Sequence, residues 1–323
     1  MPRPSSAPPS HLIIVCCHAI YLGRRAGVLP DSSAPSEDES NWLIEPFQAG
    51  ETGTYIQHVE AGVRELARDR EHAILVFSGA PTKPDKTPLT EGEGYLNVAL
   101  EHDLFGFDTS PPSPSLRQRI FIDRYATDSY QNILCSLIQF PLFVQQLQSR
   151  RPPQATTIPS PRPPLLSQGG ASTLISTTPP EDDGEKQAYY QAIKPTFPTK
   201  LTVISHAFKR ARFLDLHLPA LRFPLESTVY IGINPPFTPA KLAEIAEGDR
   251  LRGFGAWEKD LYGAGAGLSR KREQRGWDAD RFRREVVARY GGDETWTRQL
   301  QGLLSWRGGS DGITLWPGGV PWE

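Results

Sequence analysis

The chain has 323 residues and a net charge of −2, from 35 Lys+Arg against 37 Asp+Glu, which suits one large core or a core with an appendage. That balance excludes the overall basic excess of a nucleic-acid or acidic-membrane binder. Three cysteines, two of them adjacent, cannot supply a disulfide framework and suit a reducing compartment, so a soluble cytoplasmic protein is expected. Residues 1–10 are Pro-rich and polar and read as a disordered tail. The first strand, His11–Cys16, ends at Cys17-His18, and its apolar run is too short for a signal-peptide core or a membrane span. Gly23–Asn41 reads as a disordered excursion. A helix is expected over about Tyr55–Arg70, where Ile56, Val59, Val63, Leu66 and Ala67 form one stripe. The second strand, Ala73–Phe77, ends at Ser78-Gly79. A second helix starts at Thr90, where Thr90-Glu-Gly-Glu93 fits a capping box. Thr109–Ser115 is a second excursion. The third strand, Ile120–Ile122, ends at Asp123, and a third helix starts near Asp128, runs through Ile138 and bends at Pro141.

Arg150–Lys200 lacks apolar periodicity and is dense in proline. It reads as a disordered insertion, with a short helix near Glu185–Ile193. The fourth strand, Leu201–Ile204, ends at Ser205-His206, and the helix after it should stop before Pro219. The fifth strand, Val229–Ile233, ends at Asn234. From Thr238 the pattern becomes helical. Thr238-Pro239 opens one helix with proline at its first position and glycine past its end. Two more are expected near Ala279–Tyr290 and Thr295–Trp306. This extension (237–323), which carries Trp296, Trp306, Trp316 and Trp322, should pack on the α/β domain (11–236) and is a candidate surface for a protein partner.

Short β-branched strands separated by helices imply a parallel sheet buried on both faces. The expected fold is an open, mainly parallel five-stranded α/β sandwich. In such sheets ligands sit at the carboxyl ends of the strands, where the polar residues named above fall.

Three of these segments, in order, resemble the YdcF-like family (domain of unknown function 218). They are Ser78-Gly79 with Thr90-Glu91-Gly-Glu93; Asp123 with Ala126-Thr-Asp128-Ser129-Tyr-Gln131-Asn132; and Ser205-His206-Ala-Phe208-Lys209-Arg-Ala-Arg212. The resemblance spans about His11–Asn234 without the insertion. It implies a Rossmann-like fold and a pocket for a nucleotide-type ligand, with S-adenosylmethionine a candidate; the family has no settled reaction. Lys209, Gln131 and Ala126 stand where the family has histidine, glutamate and serine.

Lys209, Arg210 and Arg212 open the fourth helix, where cations are disfavoured by a few tenths to ~1 kcal/mol each and anions are welcome. Lys209 and Arg212 share a face and are assigned to a phosphate or carboxylate of the ligand. The alternative is a network with Asp215, Asp123 or Glu91, or a solvated face. Ser78 and Gly79 could offer backbone N–H groups to an anion. Glu91 and Asp123 are the acid–base candidates. His18, Asp128, Ser129, Asn132 and Ser205 complete the expected lining, although Asp128 also reads as a helix cap. Cys16 and Cys17 read as buried strand residues. A metal site at His18, His206 and Asp123 lacks any recognised ligand spacing. No GxGxxG or P-loop follows the first strand. Two functions fit: an enzyme acting on an anionic, nucleotide-like or phosphorylated small molecule, or a non-catalytic metabolite-binding regulator.

Overall fold

The computed structural model describes residues 7–23, 35–108, 115–149, 196–290 and 294–323. Five parallel strands form the sheet: β1 (His11–Cys16), β4 (Ala73–Ser78), β5 (Ile120–Asp123), β6 (Lys200–Ser205) and β7 (Thr228–Gly232), in the order β5-β4-β1-β6-β7. β2 (Ile20–Tyr21) and β3 (Trp42–Leu43) pair separately as an antiparallel ribbon. The chain builds outward from β1 to β4 and β5, then returns to the other side of β1 with β6 and β7. The reversal lies between β1 and β6, and in open α/β sheets such a point opens a crevice at the carboxyl ends.

Successive strand residues face opposite sides. Leu12, Ile14, Ile74, Val76, Leu201 and Val203 form one core with α3 (Ser129–Ser149). Ile13, Val15, Leu75, Phe77 and Ile204 form the other with α1 (Thr52–Arg68) and α2 (Glu91–Glu101). Both faces are covered, and this explains why β1 and β4 are buried along their whole length. α2 starts on the expected capping box, with Glu93 N–H donating to Thr90 Oγ1 and Thr90 N–H to Glu93 Oε2, each at 2.9 Å. Gly92 allows that helix to press on the sheet: a Cβ there would lie 2.6 Å from the Phe77 carbonyl oxygen and 2.7 Å from Ile122 Cγ2.

Some expectations are corrected. After β6 the chain makes a 3₁₀ turn (Ala207–Lys209), then a π-helical segment (Arg212–His217), and stays helical through Ala220, past Pro219. Pro219 is accommodated because it opens its own short α-helical turn. Residues 35–41, expected as an excursion, form 3₁₀ turns with Ser36 and Asn41 buried. Residues 1–6, 24–34, 109–114 and 150–195, which include the expected short helix near Glu185, lie outside the described residues. Phe197, within the expected insertion, is buried in the core shared with α3.

The extension contains α4 (Pro239–Asp249), a π-helical segment (Arg250–Phe254), α5 (Ala266–Gln274), α6 (Ala279–Glu285) and α7 (Glu294–Ser305). α5 has no counterpart among the expected helices. Its sequence, AGLSRKREQ, buries only Leu268 and so offers no apolar stripe to read. Trp257, Phe282, Tyr290, Leu300 and Trp322 join the core of the α3 face. Trp322 Nε1 donates to the Leu221 carbonyl at 2.8 Å. The extension is therefore part of the body of the protein. No described helix is long and apolar enough to cross a membrane.

Candidate functional site

A cavity of about 470 Å³ opens at the carboxyl ends of the strands. Its walls come from the residues after β1 (Cys17, His18), the turn before α1 (Glu45, Phe47, Gln48), the loop after β4 with the start of α2 (Thr82, Lys83, Glu91), the loop after β5 with the first turn of α3 (Ala126–Ser129, Asn132), the turn after β6 (Lys209, Arg212) and the extension (Arg252, Gly253, Trp257, Leu268, Lys271–Arg275 less Glu273).

Of the expected residues, His18, Glu91, Asp128, Ser129, Asn132, Lys209 and Arg212 line this one cavity. Ser78, Gly79, Asp123 and Ser205 do not; they hold its floor in place. The Asp123 carboxylate is buried and accepts from Ser78 Oγ at 2.7 Å, Tyr125 N–H at 3.0 Å and Gln139 Nε2 at 2.8 Å. Burial pushes its pKa up, but with three donors seated on it the group ties β5 to β4 and α3. The Gly79 N–H goes to the Asp123 carbonyl at 3.1 Å and so is not presented to a ligand. Glycine is required there, since a Cβ would lie 2.7 Å from Glu91 Cβ and 2.9 Å from Cys17 Cβ. Asn132 donates to Ser78 O at 3.0 Å and to Ser78 Oγ at 2.9 Å, joining the same lattice from the cavity side.

The basic residues separate into two groups. Arg212 forms an ion pair with Asp249 of the extension and donates to Ser129 Oγ at 3.5 Å. Its carboxylate partner is Asp249, and not Asp215, Asp123 or Glu91. Gly253 lets the guanidinium pass, because a Cβ there would collide with Arg212 Nη2 and Asp249 Oδ1. Arg272 pairs with Asp128 at 2.6 Å, and Lys83 pairs with Glu45. The other four cations of the wall, Lys209, Arg252, Lys271 and Arg275, have no carboxylate within 4.0 Å among the described residues. Against them stands one carboxylate without an ion pair among the described residues, Glu91. It accepts from Thr82 Oγ1 at 2.7 Å, and burial raises its pKa. The cavity is a region of net positive charge.

Lys209 Nζ lies 3.4 Å from His18 Nδ1, and His18 Nε2 lies 3.2 Å from Ser205 Oγ. Loss of hydration, reinforced by Arg212, lowers the Lys209 pKa to about 7. His18 is held far below its usual value by burial and by Lys209. His58 and His206 stand beside it, with His18–His206 ring centroids 4.5 Å apart and His58–His206 5.1 Å apart. Burial lowers the pKa of both. His206 Nε2 is 3.4 Å from Glu51 Oε2, and Tyr55 donates to the same Glu51 oxygen at 2.7 Å. This cluster of neutral imidazoles forms the polar floor under Lys209. No group of three histidine, cysteine or acidic side chains among the described residues is arranged to hold a metal ion. Burial drives the Cys16 pKa up to about 12 and that of Cys17 well above its usual value, so neither is a thiolate nucleophile.

Sequence reasoning missed Glu51, His58, Phe47 and every cavity residue of the extension. The SRKREQR run was a usable signal: a basic helix without an apolar face must direct its charge somewhere.

No family model matches the chain, and no solved structure matches it. The chain is 24% identical over 235 residues to the uncharacterized protein YOR238W of Saccharomyces cerevisiae, an alignment covering 69% of this chain and 67% of the yeast protein.

Proposed function

We propose that the cavity binds an anionic, phosphorylated or nucleotide-like small molecule at the carboxyl ends of β1 and β6, and that the protein acts chemically on it. One observation carries this reading: among the described residues, four wall cations without carboxylate partners face a single unpaired carboxylate, Glu91. Arg252, Lys271 and Arg275 are exposed and their charge is solvated, but Lys209 is held away from water; an uncompensated charge there is costly, and a bound anion removes that cost while the three exposed cations attract it. Lys209 holds the anion. Glu91 is the acid–base group, because its burial keeps a proton available nearer neutrality and it lines the cavity. The resemblance to the YdcF-like family supports the same reading, since its three segments follow β4, β5 and β6.

A binding role without chemistry is the second reading. It is favoured by the side chain of Gln131, whose Oε1 is already occupied by the Thr127 N–H at 2.9 Å and hydroxyl at 2.6 Å. With Asp123 also engaged, Glu91 is the one acid–base candidate left of the two.

Thermal-shift measurement against pyrophosphate, nucleoside phosphates and S-adenosylmethionine tests the site. An anionic compound should raise the Tm, and Lys209→Ala should abolish the shift. A protein that no phosphate compound stabilises does not have this site. Chromatography of the stabilising compound after incubation then separates enzyme from binder.

A further inference from the structure

We propose that the ligand is a nucleoside di- or triphosphate whose base stacks on Phe47 at the mouth of the cavity. This deepens the anion-site reading above and rests on it.

Phe47 is 79% exposed and lines the cavity. Single exposed apolar residues are ordinary, but this one sits on a turn fastened on three sides. Glu45 and Gln48 bracket the 3₁₀ turn Pro46–Gln48 with a reciprocal capping box. Gln48 Nε2 donates to the His18 carbonyl at 2.8 Å, tying the turn to the cavity floor. Lys83, across the mouth, forms an ion pair with Glu45. A hydrophobic ring carried into water by a fixed turn gains nothing for the fold. The fixed turn spares the backbone entropy of ordering when the ring takes a planar partner, and an aromatic ring supplies a π-face that any base can use.

The charge of the wall selects the group that the nucleoside carries. A monophosphate brings at most two negative charges to four unpaired cations and leaves the excess standing. A diphosphate or triphosphate matches it, with Arg252, Lys271 and Arg275 on the extension side and Lys209 on the sheet side. S-adenosylmethionine fits poorly, because it sets a sulfonium and an ammonium against these cations and offers one carboxylate in return.

Isothermal titration of the full chain with pyrophosphate, with ADP, GDP, UDP and CDP, and with S-adenosylmethionine tests the assignment. At least one nucleoside diphosphate should bind more tightly than pyrophosphate. Phe47→Ala should weaken that nucleotide about 5- to 150-fold, the range for one stacked base, and leave pyrophosphate unchanged. Phe47→Trp should restore the nucleotide. If pyrophosphate binds as tightly as every nucleotide, or Phe47→Ala weakens both alike, the stacking assignment falls while the anion site stands. Tighter binding of S-adenosylmethionine than of any diphosphate also overturns it. Absence of binding by pyrophosphate and nucleotides alike removes both the assignment and the site beneath it.

Discussion

The two halves of the cavity are built on opposite principles. On the sheet side, polar groups at the strand ends are occupied by one another: Asp123, Ser78, Asn132 and the Gly79 N–H form a closed lattice, and buried imidazoles surround Lys209. On the extension side, Arg252, Lys271 and Arg275 are exposed and carry charge without a carboxylate partner among the described residues. The sheet supplies position; the extension supplies most of the free charge. Rigidity and binding strength are thus drawn from different parts of the chain.

This contrast breaks down if the extension is a detachable accessory, and Trp257→Ala is the strongest test. Trp257 is buried, packs edge-on against His217 at 4.7 Å and stacks near Tyr130 at 5.9 Å. Its truncation should cost about 3–5 kcal/mol in one cooperative urea transition. Two separate transitions, or a loss below about 1 kcal/mol, would show that the halves fold independently. The division of labour predicts a different outcome for Lys271→Ala/Arg275→Ala. These side chains are exposed, so stability should change by no more than about 0.5 kcal/mol, while pyrophosphate affinity falls about tenfold or more, as for lost hydrogen bonds to a charged group. A stability loss with unchanged affinity would make them structural.

The smallest expected effect is in pH. In the empty protein Lys209 loses its proton as pH rises through about 7, so anion affinity should decline between pH 6 and 8. Lys209→Arg, which stays charged, should flatten this decline. The ratio of the two affinities, read by calorimetry, cancels the titration of the probe. Parallel slopes would take Lys209 out of the site. For stability without ligand the sign is opposite. The unfolded lysine titrates near 10.5 and the unfolded histidines near 6.5, all above their folded values. At these four groups the unfolded state therefore holds more protons, and they should add stability as pH rises from 5.5 to 8, against the opposite contribution of Glu91 and Asp123, whose folded pKa values are raised.

The sheet was legible in the sequence because doubly buried strands must be continuously apolar, as in Leu12–Val15 and Ile74–Phe77, and because capping chemistry such as Thr90 with Glu93 is local. Convergence of His18, Asn132 and Lys209 followed from their places after strands. Whether each faces ligand or lattice was not legible. Asp123 ends a strand and Glu91 opens the helix that follows one, and only packing seats three donors on the first and leaves the second on the cavity wall. Nor could the partner of Arg212 be read, since Asp249 lies 37 residues away in an element with no periodic tie to the sheet.

The junction between α3 and β6 has a practical consequence. α3 ends at Ser149 and β6 begins at Lys200, beside the start of β1, where Thr199 N–H donates to the Ser10 carbonyl at 2.8 Å. A strand of this length places that edge roughly 20 Å from the cavity. Lys200, exposed at that edge, is therefore a natural place to attach a label that follows ligand capture from the far end of the sheet.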